Sequence, residues 1–520
     1  MRKSLLTWTS SNLLFYLIFF GIILVQSELY SQKAPMPDPT PILPCVPECR
    51  NEPRVDFETL DTSGPDTVFI KDQFIISISI DSLDCQRLIE ISMTRTHQLK
   101  VDSILRDYGI PIKSDLGSAV TGLCRSDNRL VIDEIKKYYV KSVLDRIRSE
   151  SQDSRVNPND NSIQKCLCDK EIYLYEGLNI ESESFVNATQ QDDEFESNGG
   201  TISRNLVIEA HKNSIQLPER TPSGKVPDLN PNPDKIVAIL DSGIDVNFFH
   251  NYIYAEDQTD DCIEGDVFGW NFIDDNYNTQ DYFGHGTVVA ASFKYALDVE
   301  SSQSNGPEIN YKILPVKVLD DCGYGTLYSV TCGLYYAQAK GADVVNTSWG
   351  LYHHRIQLEQ AIIDLANGGI QIVASTGNDQ YDLSTTDHFP SGYSSIYSPL
   401  YDTIQTDTNV YAVGGMDQPF NMQERCNLDK WSQSNYYSFT IIENALGYSD
   451  LFNTQPFSSI VSQTVDCPCE GTSYAAPRFS AALVKEPTLD INLSRYRIKE
   501  TAQDTLSSYW TNKWCNANAH

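Results

Sequence analysis

The sequence is short of positive charge. Its 520 residues carry 39 Lys and Arg against 70 Asp and Glu, which gives a formal net charge of −31 at pH 7. A protein that binds nucleic acid neutralises phosphates with clustered Lys and Arg, so the composition argues against a nucleic-acid partner. Such acidity is typical of a protein that stays dispersed in water, and it supplies many oxygen ligands for calcium.

Long hydrophobic runs are also scarce. One unbroken apolar run, from Leu13 to Val25, follows Arg2 and Lys3, and no second run of this kind occurs. The run is short for a membrane-spanning helix but suits the core of a secretion signal. We predict a signal peptide over residues 1–27 and a secreted, periplasmic or extracellular protein without membrane contact after cleavage. An uncleaved anchor is the alternative.

The cysteines lack the spacing of a structural zinc site. Cys166 and Cys168, like Cys467 and Cys469, are separated by one residue rather than two, and no histidine pattern lies nearby. Thirteen cysteines in an exported chain instead indicate disulfides. Cys322 and Cys332 are a plausible local pair, although the sequence cannot fix the connectivity.

Changes in composition divide the chain into segments, and no internal repeat is found. Residues 28–66 are proline-rich and are expected to be extended. Residues 67–190 alternate strand-like and helix-like patterns and predict a small α+β unit. We expect residues 191–232 to be a linker, because they begin in a polar, acidic stretch (187–200) and end in a proline-rich one. A larger unit covers 233–507, and a tail covers 508–520.

The larger unit alternates apolar strands with amphipathic helices. The strand-like segments are KIVAIL, YKILPVKVL, ADVVNTSWG and IQIVAS, and LYSVTCGLYYAQAKG and RIQLEQAIIDLANGG are the helix-like ones. This order predicts an α/β fold, a parallel sheet with helices on both faces. Active sites of such folds lie at the carboxyl ends of the strands.

Polar residues stand at those strand ends. KIVAIL runs into Asp241, IQIVAS is followed by Asn378, and His285 lies between two glycines before an apolar helix start. Ser473 precedes a small-residue run near the C-terminus. Each residue alone could cap a helix, fill a turn or be a buried histidine. Together, the order Asp, His, Ser on a parallel sheet is one of the known orders of a hydrolase triad.

Four motifs resemble those of the subtilisin-like serine peptidases, the subtilase family. They are AILDSGID, GHGTVVA, ASTGN and GTSYAAP, and the resemblance covers about 233–507. It implies a serine endopeptidase in which Ser473 forms an acyl-enzyme, His285 is the base, Asp241 orients it, and Asn378 helps to bind the oxyanion. The chain has no Gly-x-Ser-x-Gly at Ser473, which argues against an esterase of another α/β type. A catalytically silent relative that binds peptides is the alternative.

The resemblance also implies how substrate is held. A protein or peptide substrate would pair as an extended strand with two glycine-containing segments, and a third segment would form the second wall of the specificity pocket. These residues are Gly323, Tyr324 and Gly325; Ser348, Trp349 and Gly350; and Ser375, Thr376 and Gly377.

Two further features follow from the family pattern. A structural Ca²⁺ ion is predicted in an acidic loop before His285, with a solvated surface loop as the alternative; its ligands would be Asp274, Asp275, Asn276, Asn278 and Asp281. The small α+β unit resembles, in position and layout, the family's propeptide and would be an intramolecular inhibitor, with a permanent accessory domain as the alternative.

The chain departs from the family pattern at three positions near the predicted site. Val288 replaces a second histidine, Glu470 replaces a serine, and Tyr474 replaces a methionine. None of these changes removes a member of the predicted triad.

Overall fold

In the computed structural model, part of the chain is described. It comprises residues 60–61, 68–79, 85–112, 115–125, 128–151, 161–166, 171–177, 180, 182–210, 233–255, 263, 266–303, 309–383, 385–394, 409–416, 433–435, 441–444 and 471–485. The predicted signal peptide, the proline-rich part of the predicted linker and the C-terminal tail lie outside these residues. Among the described residues, none belongs to a helix long and apolar enough to cross a bilayer.

The N-terminal unit combines an antiparallel sheet with helices, as predicted. Its elements are β1 (Leu60–Asp61), β2 (Phe69–Ser77), α1 (Cys85–Met93), α2 (Gln98–Asp107), α3 (Leu116–Arg125), α4 (Arg129–Ser151), β3 (Ser162–Lys165), β4 (Ile172–Glu176), α5 (Ser182–Gln190), α6 (Asp193–Ser197) and β5 (Thr201–Ala210). The strand order is β5-β2-β4-β3, antiparallel throughout. Buried side chains such as Leu88, Val101 and Ile135 pack the helices against this sheet.

The stretch predicted to begin the linker is structured. Residues 193–197 form α6, and residues 201–210 form β5. Asp192 accepts a hydrogen bond from the Phe195 N–H and an ion pair from Arg146, while the Phe195 ring is buried. Asp192 therefore caps α6 and forms an ion pair with the Arg146 side chain. The polar composition of the segment does not reveal either role.

The C-terminal unit alternates strands and helices. Its elements are β6 (Lys235–Asp241), α7 (Val246–Phe249), β7 (Trp270–Asn271), α8 (His285–Gln303), β8 (Tyr311–Lys317), β9 (Tyr324–Thr326), α9 (Leu327–Ala339), β10 (Val344–Thr347), β11 (Trp349–Gly350), α10 (Ile356–Asn367), β12 (Gln371–Ser375), a 3-10 turn (Ser391–Tyr393), β13 (Val410–Met416), β14 (Ile441–Asn444) and α11 (Thr472–Lys485).

The main sheet of the C-terminal unit is parallel. Its order is β14-β13-β12-β10-β6-β8-β7, and each neighbouring pair is parallel. Along β6, Ala238 and Leu240 pack into the apolar cluster that contains α9 and α10, while Val237 and Ile239 pack into the cluster that contains α8 and α11. Because helices cover both faces of the sheet, its central strands are largely apolar, and the α/β prediction is confirmed.

Strand β5 joins the two units. Besides pairing with β2, it runs antiparallel to β9 and β11, with Ile208 opposite Gly325 and Glu209 opposite Gly350. Its apolar side chains Leu206, Ile208 and Ala210 belong to the same buried cluster as α9 and α10. The N-terminal unit is therefore seated on the C-terminal unit through a shared sheet.

Two disulfides are formed between described cysteines. Cys85 pairs with Cys124 inside the N-terminal unit, and Cys166 pairs with Cys332 of α9 across the two units. The predicted local pair of Cys322 and Cys332 is wrong, because Cys332 faces the end of β3. Cys322 is also disulfide-bonded, to another partner.

Candidate active site

Asp241 and His285 meet at the carboxyl edge of the main sheet. Asp241 is the last residue of β6 and His285 is the first of α8, and both side chains are fully buried. His285 Nδ1 lies 2.8 Å from Asp241 Oδ1, which also accepts the Ser242 N–H at 2.7 Å. Because the carboxylate can only accept, Nδ1 carries the proton and Nε2 is left as the basic nitrogen.

The close approach of α8 to β6 depends on Gly286. A Cβ atom at this position would lie 2.1 Å from the Gly243 carbonyl oxygen and 3.0 Å from Asp241 Cβ. No side chain fits there without moving backbone. The glycine after His285 thus allows the helix start to sit against the end of the strand that carries Asp241.

Ser473 lies in the first turn of α11, directly before Tyr474. The neighbouring Tyr474 ring is 5.6 Å from the His285 ring, centroid to centroid. Ser473 Oγ donates to the Ser348 carbonyl oxygen at 3.1 Å, and Ser348 Oγ donates to the Ser473 carbonyl oxygen at 2.8 Å. Within the described part of the chain, His285 Nε2 has no hydrogen-bond partner although it is buried. The His285 Nε2 atom and the Ser473 hydroxyl are therefore not hydrogen-bonded to each other in this structure.

Asn378 is oriented by Thr472. Its Oδ1 accepts from the Thr472 N–H at 2.9 Å and from Thr472 Oγ1 at 3.0 Å. Since a backbone N–H can only donate, the amide atom that faces it is the oxygen, and Nδ2 remains to donate elsewhere. Gly377, with φ of +92°, gives the turn that presents this side chain, and its N–H donates to Thr472 Oγ1.

Comparison with known proteins agrees with this geometry. Residues 233–516, more than half of the chain, match the model of the subtilase family. The chain belongs to the subtilase family. This membership classes it as a serine-type endopeptidase, and the recognition from the four motifs is confirmed.

Individual relatives of this subtilase agree. Thermitase of Thermoactinomyces vulgaris is 30% identical over 286 residues, which cover 54% of this chain and 86% of thermitase. Subtilisin DY of Bacillus licheniformis is 30% identical over 288 residues, with coverages of 53% and 86%. A thermophilic serine proteinase of Bacillus sp. (strain AK1) is 31% identical over 196 residues, but the chain spans only 41% of its length.

A second carboxylate, Asp281, lies close enough to the Asp241–His285 pair for its charge to act on His285. It is buried, and both its oxygens are saturated by five protein donors: the Ser242 and Thr287 hydroxyls and the backbone N–H groups of Phe283, Gly284 and Thr287. Burial raises the Asp281 pKa, while the charge of Lys317 and these donors act in the opposite direction. Sequence reasoning missed this role, because Asp281 was grouped with the acidic loop before it.

The electrostatic surroundings make His285 more basic than usual. Burial acts to lower its pKa, but the charge of Asp241, the hydrogen bond to Asp241 and the charge of Asp281 together raise the His285 pKa above its ordinary value. A general base must be neutral to accept a proton, so activity should be lost on the acid side of this raised pKa.

We therefore expect the acid limb of kcat/KM to have a midpoint above pH 6.5, the usual histidine value. Asp281→Asn should shift the limb to lower pH, because it removes a charge that favours the imidazolium. The matched control is the exposed Asp275→Asn, which should leave the limb in place. The measurement is the pH dependence of kcat/KM for both variants, with a melting curve to check that each is folded. An acid limb that moves in Asp275→Asn but not in Asp281→Asn would contradict this prediction.

The five predicted calcium ligands do not form a calcium site in this geometry. Both carboxylate oxygens of Asp281 already accept hydrogen bonds from protein donors. The side-chain oxygen of Asn276 accepts the Asn278 N–H, and that of Asn278 accepts the Gln280 N–H. Asp275 accepts from the Trp270 indole at 3.3 Å. Over the described ranges, no group of three or more His, Cys, Asp or Glu side chains could hold a metal ion. Calcium stays a prediction from the sequence that this loop does not support.

Two of the three predicted substrate-binding segments lie on the two sides of β5. Gly323 to Gly325 lead into β9 and Ser348 to Gly350 lead into β11, on either side of β5. The Ala210 N–H donates to the Gly323 carbonyl oxygen at 2.8 Å. Ser375 ends β12, and Thr376 and Gly377 follow it. The cleft between these segments is filled by the chain's own β5.

Between the predicted pocket walls lies a residue that sequence reasoning missed, His388. Cβ atoms built on Gly350 and Gly377 would lie 2.2 Å and 3.0 Å from its Nε2, so the ring touches both walls. Its Nδ1 pairs with the Ser391 hydroxyl at 2.8 Å. Burial lowers the His388 pKa to about 4, against the opposing charge of Asp379, so the ring is neutral at pH 7.

Of the three departures from the family pattern, two can be located. Val288 packs in the apolar cluster between α8 and α11, and Tyr474 is buried beside His285. Glu470 lies outside the described residues. At the position where the family usually has a histidine, Val288 is therefore an ordinary residue of the apolar core.

Proposed function

We propose that the protein is a secreted serine endopeptidase that cleaves peptide bonds through Asp241, His285 and Ser473. The observation that carries the proposal is the buried Asp241–His285 pair. Its Nε2 is unbonded among the described groups, and the His285 ring lies 5.6 Å from the ring of Tyr474, the residue after Ser473. A histidine kept purely for stability would have its second nitrogen satisfied, because an unpaired buried polar atom is costly.

In the proposed reaction, Ser473 Oγ exchanges its bond to the Ser348 carbonyl for one to His285 Nε2, gives up its proton and attacks the substrate carbonyl carbon. Asp241 keeps the imidazole in the required tautomer and stabilises the imidazolium. The oxyanion accepts hydrogen bonds from Asn378 Nδ2 and the Ser473 N–H. His285 then protonates the leaving amine, and water hydrolyses the acyl-enzyme by the same route.

We propose that substrates bind as an extended strand between β9 and β11. Strand β5 supports this, since it makes antiparallel pairs with both segments. Backbone pairing is independent of sequence, so affinity would come from the strand and selectivity from the pockets around it. Ser375, Thr376 and Gly377 would form the second wall, with His388 closing the pocket between the walls.

The position of β5 also supports the N-terminal unit as an intramolecular inhibitor. A strand that occupies the cleft excludes any substrate that needs the same backbone partners. We place the end of this unit at Ala210 rather than at residue 190, because β5 belongs to its sheet. The two disulfides support export to an oxidising compartment.

The register of β5 predicts where the chain cuts itself. Ala210, the last described residue of β5, is opposite Trp349, and Trp349 directly follows Ser348, whose carbonyl oxygen accepts the Ser473 hydroxyl. We expect wild-type protein to show a second N-terminus at Lys212, after cleavage of the His211–Lys212 bond, and Ser473→Ala to stay uncut. N-terminal sequencing checks both. The same new terminus in Ser473→Ala would mean that another protease makes the cut.

A further inference from the structure

Among the described cysteines, one disulfide crosses between the inhibitor-like unit and the catalytic unit. Cys166 directly follows β3 of the N-terminal unit, and Cys332 lies within α9 of the C-terminal unit. Both residues are buried, in the same apolar cluster as Ile208 and Ala210 of β5. The disulfide is therefore part of the interface that seats β5 in the cleft.

The same interface is held by polar contacts. Ser203 Oγ of β5 donates to Gln357 Oε1 of α10 at 2.9 Å, and Asn205 Oδ1 accepts the Tyr328 N–H at 3.2 Å. The Arg355 guanidinium lies over the Phe69 ring at 5.5 Å. These contacts involve residues 69 to 205 on one side, so they all lie upstream of any cut that follows Ala210.

We propose that maturation yields a two-chain protein in which the Cys166–Cys332 disulfide keeps the N-terminal unit attached to the catalytic unit. This inference rests on the proposed function. Hydrolysis of a peptide bond beyond Ala210 adds the hydroxyl of water to the carbonyl carbon and its proton to the amine. That reaction leaves the disulfide intact, so the chain that ends in β5 cannot diffuse away.

The consequence is an inhibitor that dilution does not remove. A tethered partner rebinds at an effective concentration of about a millimolar, far above the concentration of a secreted enzyme. Release of β5 then requires a dithiol reductant, which is oxidised to its own disulfide as Cys166 and Cys332 become thiols, or a second cut within the N-terminal unit.

The first experiment uses the processed wild-type protein on gels. Without reductant, the cut protein should migrate as one species; with dithiothreitol it should separate into two chains. Peptide mapping without reduction should recover a Cys166–Cys332 linked pair. Two separate chains without reductant, in protein shown by sequencing to be cut, would overturn the proposal.

The second experiment compares two double variants. Cys166→Ser with Cys332→Ser removes the tether, whereas Cys85→Ser with Cys124→Ser removes a disulfide within the N-terminal unit and is the matched control. On dilution from about 1 µM to about 10 nM, the untethered variant should gain at least about tenfold in specific activity, while wild type and control change less than about twofold. An equal gain in all three would overturn the proposal.

Different results would contradict the proposed function and the two-chain inference. Protein that neither cuts itself nor hydrolyses casein would sink the proposed function. Protein that hydrolyses casein but whose cut chains part without reductant, or that is active as one uncut chain, would leave that function standing and overturn the two-chain inference. If the untethered variant does not fold, the gels and the peptide map of wild-type protein still decide.

Discussion

Replacing Ser473 with alanine is expected to reduce kcat for peptide hydrolysis by about a millionfold, the loss known for hydrolases with this kind of triad. Without the hydroxyl no acyl-enzyme can form, and the remaining activity would come from binding and the oxyanion donors alone. His285→Ala should be comparably inactive, and the double variant no worse, because nucleophile and base act as a unit. Steady-state kinetics on casein or a chromogenic peptide provide the measurement.

A serine on the same helix gives the matched control. Ser480 is buried in α11, two turns after Ser473, and donates to Asn346 Oδ1 at 3.2 Å. Ser480→Ala should cost about 1 kcal/mol of stability and leave kcat within about twofold of wild type. Equal activity in Ser473→Ala and Ser480→Ala would favour the alternative of a catalytically silent, peptide-binding relative.

Asn378→Leu is expected to lower kcat by about 100- to 1,000-fold with little change in KM. The substitution keeps the side-chain size but removes the Nδ2 donor, which is worth about 3–4 kcal/mol only when the oxyanion forms. Its oxygen contacts to Thr472 would also be lost, so melting curves should accompany the kinetics.

A second asparagine separates loss of the donor from loss of packing. Asn409 Nδ2 donates to the Ala366 carbonyl oxygen at 2.9 Å, outside the cleft. Asn409→Leu should destabilise the fold without a selective loss of kcat. If Asn378→Leu raises KM while kcat is kept, Asn378 binds substrate and is not an oxyanion donor.

The core of the catalytic fold was predictable because its signals are local. Strands β6, β8, β10 and β12 are apolar runs buried on both faces, and each ends where the chain turns polar. Because functional side chains lie at the carboxyl ends of parallel strands, Asp241 and Asn378 could be predicted to lie at this edge of the sheet. The close approach of α8 to β6 explains why residue 286 is glycine. The family motifs then assign roles that spacing alone leaves open.

What could not be predicted depends on contacts between distant parts of the chain. Nothing local marks Thr201–Ala210 as the strand that joins both sheets, since its partners lie more than a hundred residues further on. The pairing of Cys166 with Cys332 has the same cause. Asp281 was misjudged because its donors come from Ser242 and Thr287 as well as from its own loop.

The most direct test of the central claim is covalent labelling of the nucleophile. Processed protein, first treated with dithiothreitol to release β5 and then with a serine-directed phosphonate, should carry one adduct, on the peptide that contains Ser473, and should lose casein hydrolysis in proportion to labelling. His285→Ala should label far more slowly, because its serine is not activated. Complete inactivation with the adduct on another residue, or full activity with Ser473 labelled, would contradict the account.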